Sequence, residues 1–98
     1  MLFVNFGERL KELRKGGALT QQQLANRLGV AKSVVSYYES GDRFPSYDVL
    51  IKIARTFHVT TDYLLGVEKT RVIDVSGLSE TEITAVMNIV DIIQHKKK

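Results

Sequence analysis

Gln21-Gln22-Gln23-Leu24-Ala25-Asn26-Arg27-Leu28-Gly29-Val30-Ala31-Lys32-Ser33-Val34-Val35-Ser36-Tyr37-Tyr38-Glu39-Ser40 holds two short amphipathic stretches divided by one glycine. Gly29 follows the last periodic apolar residue of the first stretch, where a left-handed backbone ends a helix at little steric cost. Ala25 sits where the two helices would touch, and a bulky side chain there would push them apart. Leu24, Leu28, Val30, Val35 and Tyr38 supply the apolar contacts that set the crossing angle.

Outward from this pair, helix start signals recur. Asn5 with Glu8, Thr20 with Gln23 and Ser79 with Glu82 each fit a capping box, and Ser46 and Thr60 fit single N-caps. Apolar spacing agrees with them, and Pro45 alone interrupts the chain. The pattern predicts helices at about 6–15, 20–28, 31–40, 46–57, 60–65 and 79–95. The fold class expected is all-α: a five-helix domain over 1–66, a connector over 67–78, and a C-terminal helix with a basic tail over 79–98. The connector's β-branched residues, Val67, Val72, Ile73 and Val75, allow one short extended segment.

Composition narrows the function. Among 98 residues there is no cysteine, which excludes a disulfide scaffold, a thiolate metal site and a cysteine nucleophile. His58 and His95 stand far apart and cannot alone build a metal centre, so neither a metal nor a cofactor is expected. Nothing suggests a converging nucleophile and base, and no enzyme is expected. The apolar start Met1-Leu2-Phe3-Val4 lacks the marks of a signal peptide, and no run reaches membrane-span length. A cytoplasmic protein with no membrane partner is expected. The net charge is +3, and its excess falls on residues 1–66, with nine Lys/Arg against six Asp/Glu. That bias suits a small reader of nucleic acid.

The third predicted helix divides into two faces. Val34, Val35 and Tyr38 point toward the bundle, while Lys32, Ser33, Ser36, Tyr37 and Ser40 form a polar face free of acidic groups. Such a face suits the major groove, where lysine reaches guanine O6/N7 and hydroxyls meet donors or acceptors. Tyr37 is the most informative of them, because a large aromatic on a solvent face needs a reason. Gln21, in the first turn of the second helix, stands where an anionic oxygen is favoured.

The spacing of Ala25, Gly29 and Val35 matches a helix-turn-helix. Thr20-Gln21-Gln22-Gln23-Leu24-Ala25, Gly29-Val30, Glu39-Ser40-Gly41, Pro45-Ser46 and Asp62-Tyr63-Leu64-Leu65-Gly66 together resemble the phage-repressor and Cro-type (xenobiotic-response-element type) transcriptional regulators. The resemblance covers about residues 5–66. It implies a five-helix bundle binding operator DNA as a two-fold dimer, base reading by Lys32, Ser33, Ser36 and Tyr37, and phosphate contacts from Gln21, Ser40 and Arg43. It also implies a structural ion pair between Arg14 and Glu39. The loop Ser40-Gly41-Asp42-Arg43 is expected to offer backbone amides as well as a guanidinium to phosphates. Two departures stand out. Ala31 replaces the Ser or Thr that often caps the reading helix, a loss of about 0.5–2 kcal/mol. Gly16-Gly17-Ala18 replaces the usual turn, and Gly17 is expected to take the left-handed position.

The C-terminal helix lies outside this resemblance. Ile83, Val86, Met87, Val90 and Ile93 form one apolar stripe, and Ile89 and Ile92 widen it beyond what a simple surface helix needs. The stripe is expected to dimerise with a second copy. Two alternatives are docking on its own domain and capture of another protein, such as a toxin or antagonist. The leading expectation is a dimeric repressor of a palindromic operator in double-stranded DNA; the alternative is an antitoxin or antagonist-controlled regulator.

Overall fold

The computed structural model describes residues 5–68 and 71–96; Met1–Val4 and the last two lysines lie outside the described residues. It shows six helices: α1 Phe6–Gly16, α2 Gln21–Leu28, α3 Lys32–Ser40, α4 Tyr47–Thr56, α5 Thr61–Leu64 and α6 Glu80–Lys96. There is no strand among the described residues, so Val72, Ile73 and Val75 of the connector stay irregular.

The caps explain why these boundaries fall within about a residue of those the sequence predicts. Thr20 and Gln23 exchange both bonds of a capping box, as do Ser79 and Glu82. Ser46 and Thr60 each accept the amide three residues on. At Asn5 only half of the expected box forms: its side chain accepts from the Gly7 and Glu8 amides.

The core gathers Leu10 and Leu13 of α1, Leu24 and Leu28 of α2, Val35 of α3, Ile53 of α4 and Leu64 of α5. Their burial is the main stabilising term, at roughly 1.5–3 kcal/mol for each large aliphatic side chain. α1 and α2 both pack on α3, α4 packs on α2 and α5, and α5 also meets α1. α6 contributes no buried residue.

The turn from α1 to α2 differs from expectation. Gly17 has φ −89°, and Ala18 takes the left-handed conformation at φ 57°. The Gly17 amide is still held by the Leu13 carbonyl, so the chain reverses one residue later, where the Leu19 amide reaches the Arg14 carbonyl at 3.0 Å. An alanine there carries about 1–2 kcal/mol of backbone strain.

Candidate nucleic-acid interface

α3 carries the candidate interface, and three anchors fix its position. The first is Ala25, fully buried where α2 meets α3, with Gly29 left-handed at φ 73° directly after α2. The second is a close approach of backbones. A Cβ on Gly7 would stand 2.5 Å from the Glu39 carbonyl oxygen and 2.6 Å from that of Tyr38. Only glycine lets α1 lie this near the end of α3.

The third anchor is polar. Arg14 donates from Nε to Glu39 Oε2 at 2.6 Å and from Nη2 to Oε1 at 3.1 Å. Its Nη1 donates to the Leu19 carbonyl at 2.9 Å, and Gln21 Nε2 donates to Glu39 Oε1 at 3.1 Å. The two ionic side chains are nearly dry, at 10% and 4% exposure. One carboxylate therefore joins α1, α2 and α3 beneath the outer surface, and the only acidic residue of α3 is turned away from that surface. In this structure the Gln21 amide is occupied by Glu39, which a residue with a free amide facing solvent would not be.

Above these anchors the outer face of α3 is open. Lys32, Ser33 and Ser36 are exposed, and Tyr37 is 45% exposed beside them. Ala31 provides no side-chain cap, which leaves the first-turn amides of α3 without that partner. The face is thus a row of one cation, two hydroxyls and one phenol, with a partial positive charge at the helix start.

The loop after α3 corrects one expectation. The Gly41 amide donates to Tyr38, and the Asp42 and Arg43 amides both donate to the Tyr37 carbonyl, at 3.3, 2.9 and 3.2 Å respectively. These amides close the C-terminus of α3 and are not offered outward. The side chains differ: Arg43 is exposed, and the single hydroxyl hydrogen of exposed Ser40 is shared between Asp42 Oδ2 at 2.8 Å and Tyr37 O at 3.1 Å.

Two features were not read from the sequence. Gly7 sits in the first turn of α1, where its only signal is a poor helix former among good ones. Phe44 is 60% exposed yet packs on Phe6 with ring centroids 5.0 Å apart, tying the loop after α3 to the start of α1. Phe44, Arg43 and exposed Tyr47 extend the rim beyond α3. Among the described residues no cluster could hold a metal ion, and no helix is long and apolar enough to cross a membrane.

The chain matches the family model described as helix-turn-helix over residues 10–64. It is 36% identical over 80 residues to the HTH-type transcriptional regulator ImmR of Bacillus subtilis, which covers 82% of this chain and 59% of that protein. A crystal structure of a transcriptional regulator from Listeria innocua aligns with TM-score 0.64 and 31% identity over 96% of each chain. The P22 c2 repressor, solved in complex with a synthetic operator, aligns with TM-score 0.63 and 25% identity over 69% of this chain and all of that one. The chain spans a little over half the length of curated relatives such as ImmR. These relatives are transcriptional regulators and repressors by name.

Proposed function

Because the chain belongs to the helix-turn-helix family of Cro/C1-type regulators, we propose that it binds a palindromic operator in double-stranded DNA as a homodimer and represses transcription there. The observation that carries this reading is the outer face of α3. Lys32, Ser33, Ser36 and Tyr37 stand exposed together while Glu39 is drawn inward by Arg14. In the major groove Lys32 reaches guanine O6/N7, the serines meet base donors or acceptors, and the Tyr37 ring lies against a thymine methyl. Arg43 and Ser40, with Gln21 at the start of α2, contact phosphates and fix register. Gln21 does so by rotating its amide from Glu39 or by offering its backbone at the helix start.

Two reading helices must enter successive major grooves about 34–36 Å apart, which calls for a two-fold dimer. The α6 stripe of Ile83, Val86, Met87, Val90 and Ile93 provides the subunit contact. Its exposed aliphatic residues also favour a second reading, in which an antagonist or toxin binds α6 and controls the DNA-binding bundle. Footprinting on the DNA upstream of the chain's own gene tests the first reading. Protection of a symmetric site supports it, and the absence of any protected site contradicts it.

A further inference from the structure

A second apolar surface lies away from α3. Ile51 and Ala54 of α4, Val59 beyond it, and Val72, Ile73 and Val75 of the connector line an open groove of about 820 Å³. Arg55 and His58 edge it with positive or protonatable groups, and Asp74 adds a carboxylate. Ser76 donates its hydroxyl and its amide to Asp74, which lowers the pKa of that carboxyl from its ordinary value. Val72 and Ile73 remain 49% and 56% exposed.

α6 has more apolar surface than one partner helix can cover. Its dimerisation stripe occupies one side, and Ile89 and Ile92, 58% and 60% exposed, lie on another. At 100° per residue, Glu82, Ala85, Ile89, Ile92 and Lys96 fall on a single line along the helix. Area points the same way. A helix of 17 residues is about 25 Å long, and half its cylinder presents roughly 450 Å². A stable interface takes about 800 Å² from each partner. Pairing α6 with α6 alone falls short.

We propose that Ile89 and Ile92 of α6 seat in the groove between α4 and the connector of a second copy, so that each subunit's helix is gripped by both the α6 and the groove of its partner. This rests on the homodimer reading above and adds the second half of its interface. Charge favours this occupant: the groove's rim carries one charge of each sign, Arg55 and Asp74, and so does the line on α6, with Glu82 and Lys96. Neither Arg55 nor Lys96 has an ion-pair partner among the described residues, and Glu82 uses one carboxylate oxygen to accept the Ser79 amide.

The absence of native cysteines makes the test direct. Full-length chains carrying Ile73→Cys and Ile92→Cys singly are mixed and oxidised. The expected product is a mixed disulfide dimer of the two variants. Self-linked Ile92→Cys dimers without the mixed product would overturn the proposal. So would disulfide closure within a monomer of a chain carrying both Ile73→Cys and Ile92→Cys, since the chain's own helix would then fill the groove. In sedimentation, Ile73→Asp should raise the dimer dissociation constant by about tenfold or more. A dimer weakened by Val90→Asp but untouched by Ile73→Asp overturns the groove and leaves the α6 pairing standing. A dimer untouched by both overturns the α6 pairing as well.

Discussion

Arg14 and Glu39 meet through two hydrogen bonds of 2.6 and 3.1 Å, and the same carboxylate oxygen that takes the longer one also accepts from Gln21. The pair joins the end of α1 to the end of α3 at a point where both side chains are almost shielded from water. Its net contribution to stability is small, because desolvation offsets most of the attraction. Its contribution to the orientation of α3 is larger.

That distinction is measurable. Glu39→Ala leaves the Arg14 guanidinium buried without its counterion and should cost about 3–5 kcal/mol in urea unfolding. The double variant Arg14→Met, Glu39→Leu removes both charges and should recover most of that loss. Its operator affinity should still fall, because α3 is then held by packing alone. Equal losses from the single and double variants would assign the pair a simple stabilising role.

Gly7 makes the complementary prediction. A methyl group at this position would meet two backbone carbonyl oxygens of α3 within 2.6 Å, which no side-chain rotation relieves. Gly7→Ala should destabilise by about 1–3 kcal/mol despite alanine's better helix propensity. The folded fraction should also bind operator more weakly, since α3 must shift to make room. Gly16→Ala, with nothing near its Cβ, serves as the control and should stabilise slightly.

Reading and positioning residues should separate in competition binding. Lys32→Ala or Tyr37→Ala should each cost about 1–3 kcal/mol on the operator and relax base preference. Arg43→Ala and Gln21→Ala should weaken operator and random duplex alike. Gln21→Ala should in addition lower stability, because Glu39 loses a donor. Identical behaviour of the two groups would overturn the assignment.

The bundle and the C-terminal helix should also separate. A chain ending at Gly77 retains every buried core residue and should unfold cooperatively as a monomer with much weaker operator binding. Val90→Asp in the full chain should do the same, since a carboxylate in the seam would be buried unpaired. Light scattering that finds the truncated chain still dimeric would move the subunit contact into the bundle.

The helices and the outer face of α3 were legible because their determinants are local. Thr20 with Gln23 and Ser79 with Glu82 announce their helices within four residues, and the faces of α3 follow from periodicity. What escaped the sequence depends on residues far apart in the chain. Gly7 looks like a helix-weakening residue until α3 is placed against it, and Gln21 looks free until Glu39, 18 residues on, arrives beside it. The sequence puts the left-handed turn at Gly17, one residue early, because nothing local shows that Gly17 still completes α1. The groove beside α4 needs the connector folded over it, and no periodic signal reports that.

The central claim is that this surface reads DNA sequence from a framework of phosphate contacts, and a salt titration of operator against random duplex tests it most directly. A dimer engaging about 6–10 phosphates should lose affinity for both by roughly 10³–10⁵ between 50 and 200 mM salt. The operator should stay tighter by roughly 10³ or more throughout. Binding that ignores salt, or that is equal for every duplex, would contradict the account.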